Sequence, residues 1–257
     1  MFDLPLYQLA LIALCFVWGG FVRSWLGFGG SVLTLPFLLL IYNQPLVFLP
    51  IISVHLLVFA VLTIHRSHRK QSANDHVTES SVNWKFLRYA LLIMIIPKII
   101  GVLGLVVLPT TIMNTFIFGL IFIYAWSYIF DRQFKSQSKL GQGLLLMLGG
   151  YVSGASLMAA PLVASVFASN IRRHQLRDSM LALWFVLVSI KLIAFIWVGV
   201  DLQLVHHLWL FPCAYIGHLL GLYLHDRMLL KHPVHFYRLL GLALLTASSM
   251  GLWTTLS

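Results

Sequence analysis

Long runs of apolar residues, separated by short polar connections, dominate the pattern along this chain. Most runs have about 20 residues, the length that an α-helix needs to cross a hydrocarbon core of about 30 Å. The pattern therefore predicts an all-α integral membrane protein. The eight predicted apolar segments run over 6–42, 46–64, 86–108, 111–130, 141–170, 179–200, 204–224 and 236–254.

The first and fifth segments differ from the others because glycines and a proline interrupt them. Glycine costs about 1 kcal/mol in a helix interior and proline about 3 kcal/mol, so such clusters predict that a helix breaks. Each of these two segments is therefore predicted to form a broken or re-entrant hairpin. The interruptions are Gly19, Gly20, Gly27, Gly29 and Gly30 in the first, and Gly149, Gly150, Gly154 and Pro161 in the fifth.

The two interruptions occupy corresponding places in the chain. The sequence GGFV at 19–22 is followed 130 residues later by GGYV at 149–152. This spacing predicts two repeats, 1–135 and 136–257, each with one hairpin and three transmembrane helices. Paired interruptions in the two halves of a membrane protein indicate a transporter whose binding site lies near the bilayer midplane.

The basic residues predict the topology. Fourteen of the 17 lysines and arginines lie at 65–88, 131–140, 171–178 and 225–238, which places these four loops in the cytoplasm. The segment 141–170 must then enter the membrane and return to the same side. The two repeats are consequently predicted to be inverted, with both termini outside. The alternative makes all eight segments full crossings in parallel halves, but it would place two of the basic loops outside.

The three remaining basic residues, Arg23, Lys98 and Lys191, lie deep in apolar segments. A cation at the bilayer centre costs about 2.5–3.5 kcal/mol on insertion scales. All seven acidic residues are predicted to lie outside the membrane centre, so a bound anion would offset the buried charge. Alternatives stay open: Arg23 can bind carbonyls of a broken helix, Lys98 can bind the carbonyl freed by Pro97, and lysine can extend to the interface.

The hairpin tips supply a second element suited to anions. Half-helices that start near Ser31 and Pro161 would point their N-termini, with free N–H groups and a partial positive charge, toward the bilayer centre. Glycine backbone and serine hydroxyls at the tips would add donors, although small residues also serve close helix packing. The predicted tip residues are Gly29, Gly30, Ser31, Ser153, Gly154, Ser156 and Pro161.

Two histidines within predicted spans, His55 and His218, are candidates for carrying protons. A histidine hydrogen-bonded within the helix bundle is the commoner arrangement. The sequence carries no recognisable metal, cofactor or nucleotide motif and no nucleophile–base pair, so an enzyme is not expected. The net charge of +10 does not predict nucleic-acid binding, because the basic residues lie in loops between apolar runs.

The chain has two glycine-rich stretches, Gly27-Phe28-Gly29-Gly30 followed by Pro36, and 149–154 followed by Pro161. They resemble the repeat signatures of the sulfite exporter TauE/SafE family. Length, duplication and the basic central loop agree as well. One departure is Ala159-Ala160, where the family usually has further glycines. The resemblance implies a bacterial inner-membrane permease, usually an exporter, for sulfite, sulfonates or related anions. In such a membrane, the outside termini predicted from the basic loops would be periplasmic.

The expected function is therefore secondary transport of a small sulfur-containing anion by alternating access, with Arg23, Lys98 or Lys191 and the hairpin tips forming the site. An anion channel that uses the same cations is one alternative, and a non-transporting membrane assembly subunit is another. The expected partners are the anionic substrate and the lipid bilayer, with a homodimer as a possible assembly. The exact substrate, the transport direction and ion coupling stay open.

Overall fold

The computed structural model describes residues 4–26, 30–72, 80–130, 134, 136–227 and 234–256. These residues form helices and contain no β-strand. The all-α architecture predicted from the apolar runs is confirmed. The helices are α1 (Leu6–Leu26), α2 (Leu35–Ile41), α3 (Pro45–Ser72), α4 (Trp84–Val107), α5 (Thr110–Ile129), α6 (Lys139–Ser156), α7 (Ala160–Asn170), α8 (Arg173–Val198), α9 (Leu204–Arg227) and α10 (Val234–Leu256).

The outer faces of the helices carry large apolar side chains, as a lipid-facing surface requires. Trp197, Leu140 and Val107 are more than 80% exposed, while aromatic and branched side chains fill the interior. Within the described ranges, six helices are long and apolar enough to cross a membrane. The protein is therefore a multi-pass membrane protein. The six stretches are Leu6–Trp25, Pro45–Arg66, Trp84–Val107, Thr110–Ile129, Arg173–Val198 and Leu204–Leu224.

Both predicted helix breaks are present, and each lies at the downstream end of its glycine cluster. Helix α1 ends at Leu26 and α2 begins at Leu35, while α6 ends at Ser156 and α7 begins at Ala160. At the second break, Leu157 adopts a left-handed conformation with φ of 62°. The glycine pairs at 19–20 and 149–150 lie inside helices, because the close packing described below offsets their helix cost.

The hairpins have limbs of unequal length, which differs from the prediction of two half-helices. The long limbs α1 and α6 have 21 and 18 residues, whereas the returning limbs α2 and α7 have 7 and 11. Helix α2 also begins four residues after Ser31, because Ser31 to Thr34 form a turn in which the Ser31 carbonyl accepts from the N–H of Leu35 at 2.9 Å. A proline stands in the first turn of each short limb, where its missing N–H costs nothing.

The principal helix contacts join the first half of the chain to the second. Helix α1 packs along α9, α4 along α6, α5 along α10 and α3 along α8. If α1 corresponds to α6 and α4 to α9, as the predicted duplication requires, the first two contacts are equivalent. The repeat boundary and the inverted orientation of the halves stay predictions.

Glycine allows the close approach of α4 to α6 and of α1 to α9. A Cβ atom on Gly101 would overlap the Tyr151 carbonyl of α6, and one on Gly217 would overlap the Val17 carbonyl of α1. A Cβ atom added at Gly154 or at Gly150 would likewise overlap a backbone carbonyl of α4. Small residues at such crossings are the usual means of tight helix packing in lipid.

Substitution of Gly101 by alanine is expected to destabilise the protein by about 1–3 kcal/mol, because the methyl group forces α4 away from α6. Thermal unfolding in detergent measures the effect. Gly104→Ala is the matched control on the same helix, since a Cβ at Gly104 meets no atom within 4 Å among the described residues. Equal losses of stability in both variants would refute this explanation of the helix crossing.

Candidate functional site

The two hairpin tips touch each other in the interior of the protein. The Ser31 hydroxyl donates a hydrogen bond of 2.6 Å to the carbonyl of Leu157, and both residues are buried. Ser31 precedes α2 and Leu157 follows α6, so the hydrogen bond joins the break in the first half to the break in the second. The region where the helices stop is therefore one continuous interior site.

At the second tip, two lysines bind the carbonyl end of α6. Lys98 Nζ donates to the carbonyl and the hydroxyl of Ser153, both at 2.9 Å. Lys191 Nζ donates to the carbonyl of Gly154 at 2.8 Å. Both lysines are 0% exposed. The last carbonyls of a helix lack intrahelical partners and carry partial negative charge, so the two ammonium groups stabilise this buried helix end.

The predicted serine donors at the tips are engaged with the protein backbone. The Ser156 hydroxyl donates to the carbonyl of Val152 at 3.0 Å, one turn back along α6. The Ser31 hydroxyl is used in the hydrogen bond to Leu157 described above. A hydroxyl has a single proton to donate. In this conformation these two serine hydroxyls can therefore accept a hydrogen bond from a ligand but cannot donate one to it.

The first tip differs, because a small cavity lies beside it. The cavity has a volume of about 20 Å³ and lies between the tip and helices α1, α3 and α9. That volume is enough for about one water molecule. A larger occupant therefore requires the surrounding helices to separate. The cavity is lined by Phe16, Gly19, Gly20, Arg23, Gly30, Ser31, Thr34, Ile52, His55 and Ala214.

Arg23 supplies the positive charge of this cavity. Its side chain is 8% exposed, and its Nε and Nη2 atoms have no hydrogen-bond partner in the described part of the chain. The guanidinium carbon lies 4.5 Å from the centre of the Phe59 ring, a cation–π contact that holds one face of the group. The guanidinium edge keeps donors suited to a carboxylate or oxyanion.

Two further polar side chains line the cavity with unused atoms. His55 is 1% exposed, and neither of its ring nitrogens has a partner among the residues that the structure describes. Oγ1 of Thr34, the residue just before α2 in the cavity lining, also has no partner among the described residues. Donors and acceptors thus surround the cavity, and none of its described lining residues is an acid that could pair with Arg23. Such an arrangement suits a small anion with several oxygen atoms.

His218 lies apart from the cavity lining. Its Nδ1 atom forms a hydrogen bond of 2.6 Å with the Ser24 hydroxyl, and its ring packs at 4.7 Å from that of Phe59. Arg177 donates to the Ser24 carbonyl at 2.9 Å. His218 is therefore a hydrogen-bonded histidine of the α1–α9 contact, which is the alternative considered for it above.

The structure divides the residues predicted from sequence into two groups. The first tip brings Arg23, Gly30, Ser31 and His55 together around the cavity. Gly29 lies outside the described residues. Thr34 and Phe59 were not predicted, although Thr34 stands two positions before the helix-starting Pro36 and Phe59 lies one helical turn after His55. The second group consists of Lys98, Lys191, Ser153, Gly154, Ser156 and Pro161, which lie at or near the α6–α7 break.

No group of three or more potential metal ligands occurs in the described ranges. Fold and site together define a multi-pass helical membrane protein with a buried, positively charged cavity beside the first of two helix breaks. Residues 11–252 match the model of the sulfite exporter TauE/SafE family. Because the match spans nearly the whole chain, the protein belongs to this family of membrane transporters, and the resemblance noted from the glycine-rich stretches is confirmed. Neither the curated proteins nor the solved structures contain a match.

Proposed function

We propose that the protein exports small sulfur oxyanions, such as sulfite or organosulfonates, from the cytoplasm of a bacterium by alternating access. The family to which the chain belongs supports the sulfur-anion class. The observation that carries the proposal is the buried Arg23 guanidinium, whose Nε and Nη2 atoms lack partners within the described ranges. An intramembrane cation is costly unless it is paired, and a substrate anion provides the pairing during transport.

The chemistry of the guanidinium fits the proposed substrate. Arginine presents a rigid planar fork of N–H donors that matches two oxygens of one oxyanion, which a lysine ammonium does not. Thr34 and His55 add further polar groups on other sides of the cavity. Phe59 fixes the guanidinium plane, so little side-chain freedom is lost when the anion binds.

The position of the cavity supports a carrier rather than a channel. Its walls come from α1, the first tip and α3 on one side, and from α9 with Ala214 on the other. In the proposed inverted repeats these elements belong to different halves. Rocking of one half against the other would therefore open, close and reshape the cavity. Since the cavity in this conformation is too small for an oxyanion, such movement is also needed for substrate entry.

The direction of transport follows from electrostatics and topology. With the basic loops in the cytoplasm and both termini in the periplasm, an inside-negative potential drives anion exit by about 2.3 kcal/mol per charge per 100 mV. Export of a monoanion therefore needs no coupled ion. This orientation and direction are part of the proposal.

Counterflow of sulfite in proteoliposomes tests the proposed function. External radiolabelled sulfite should accumulate transiently in vesicles loaded with unlabelled sulfite, and initial rates should saturate. A channel would conduct without saturation at low concentration and without counterflow. Absence of flux for sulfite and for organosulfonates, from protein that stays monodisperse, would favour the non-transporting subunit.

A further inference from the structure

His55 is a buried imidazole with no hydrogen-bond partner in the described residues, in direct reach of the cavity that holds Arg23. Aromatic rings enclose it, with Phe16 at 5.4 Å and Phe211 at 5.5 Å between ring centres. A buried histidine normally satisfies at least one ring nitrogen. An imidazole that keeps both nitrogens unused beside a binding cavity therefore suggests a functional group.

A second histidine, His207 of α9, lies between His55 and the loop that joins α8 to α9. The ring of His207 lies 5.1 Å from that of His55, centre to centre. Its Nε2 atom is 3.2 Å from the carbonyl of Leu202, and its Nδ1 atom has no partner in the described ranges. When Nε2 donates to that carbonyl, Nδ1 of the neutral ring is an acceptor. Leu202 adjoins Asp201, which is exposed at the surface.

The charges around His55 determine when it can hold a proton. Arg23 of α1 faces it across the cavity and His207 faces it from α9, while α2 and α5 carry no acidic, basic or histidine side chain. On α8, Arg177 is directed to Ser24, Lys191 to Gly154, and the buried Asp178 has a partner of its own. On α9, His218 is bonded to Ser24, and His206 accepts from the indole of Trp209. An imidazolium beside Arg23 in a cavity without an anion would be repelled. A bound dianion would instead attract both positive charges.

We propose that His55 is a proton-binding site and that the cavity takes up a dianionic sulfur oxyanion together with one proton, which reaches His55 through His207. The proposal rests on the proposed function and extends it to ion coupling. One negative charge of the dianion pairs with Arg23 and the other with the protonated imidazole, so the loaded cavity is neutral. The proton moves from solvent to a ring nitrogen of His55 and is released when the anion leaves.

Proton uptake on sulfite binding tests this inference. Purified protein is mixed with sulfite at alkaline pH, where free sulfite is the dianion, in weakly buffered detergent solution with a pH indicator. The wild type should take up about one proton per sulfite bound. His55→Gln should bind sulfite more weakly, because one charge of the dianion loses its partner, and the sulfite that it does bind should bring little or no proton uptake. His65→Gln, an exposed histidine on the same helix, should behave as the wild type.

A flux measurement separates this inference from the proposed function. In voltage-clamped proteoliposomes, sulfite movement by the wild type should carry protons at a fixed ratio, and the slower sulfite movement that remains in His55→Gln should carry none. If His55→Gln takes up as many protons per bound sulfite as the wild type, the proton is bound by the anion and not by His55, and the inference is overturned. A wild type that binds sulfite without taking up protons would overturn the inference as well. Absence of sulfite flux in the wild type would contradict the proposed function itself.

Discussion

Substitution of Arg23 by glutamine is expected to reduce sulfite flux by about 10²-fold or more. The variant removes the charge of the cavity and two donors, and each charge-assisted hydrogen bond contributes about 1.5–3 kcal/mol. Folding should survive, because Arg23 Nε and Nη2 have no hydrogen-bond partner among the described residues and the guanidinium packs on the ring of Phe59. Initial rates of labelled sulfite uptake, normalised to monodisperse protein, give the measurement.

Two further variants make the Arg23 result specific. Arg23→Lys keeps the charge but loses the planar fork, so its flux should lie between those of the wild type and Arg23→Gln. Arg88→Gln removes an exposed arginine of α4 and should leave flux unchanged. Flux in Arg23→Gln close to that of the wild type would refute the assignment of the site, whatever the transport activity of the protein.

The double variant Lys98→Met, Lys191→Met is expected to lose stability rather than substrate specificity. It leaves two acceptors at the buried end of α6 without donors, the hydroxyl of Ser153 and the carbonyl of Gly154, while the Ser153 carbonyl keeps only the N–H of Leu157. Each unsatisfied buried group costs about 1–3 kcal/mol. A lower midpoint of thermal unfolding is therefore expected, and the flux per folded protein should stay within severalfold of the wild type.

Lys85→Met is the matched control for this prediction, because Lys85 is exposed at the start of α4. Its unfolding midpoint should equal that of the wild type. If the double lysine variant were instead fully stable but unable to transport, the lysines would be substrate ligands and the second tip would be the binding site.

The fold could be predicted closely from sequence because lipid imposes a simple rule on the chain. Each crossing must satisfy its backbone internally, so run length alone locates the helices. The predicted segment 86–108 agrees closely with α4 at Trp84–Val107. The predicted segment 204–224 agrees closely with α9 at Leu204–Arg227. The positions of the two breaks were also predictable, since the glycine clusters and Pro161 mark them.

The internal geometry of the two helix breaks could not be predicted from the sequence. Composition could not distinguish glycines that end a helix from glycines that allow a neighbour to approach. Gly20 and Gly150 belong to the second kind, because carbonyls of Ala214 and Met94 lie where their Cβ atoms would be. That distinction depends on contacts between helices far apart in sequence.

The candidate site was predictable only in part, for a similar reason. Arg23, Lys98 and Lys191 are equivalent in sequence terms, each being a lone cation in an apolar run. What separates them is whether a carbonyl lies within reach of the charge. Lys98 finds its acceptor 55 residues away, at Ser153, and Lys191 finds its own 37 residues away, at Gly154. Of these three cations, only Arg23 has side-chain nitrogens without a hydrogen-bond partner in the described part of the structure.

The location of a bound anion tests the central claim most directly. Selenite is a heavier analogue of sulfite, and anomalous diffraction at the selenium edge from crystals grown with it would show where it binds. We predict a selenium peak within hydrogen-bonding reach of Arg23, next to Thr34 and His55, in a cavity wider than the one described above. A peak confined to the second tip beside Lys98 and Lys191, or no ordered peak in crystals of transport-competent protein, would contradict this claim.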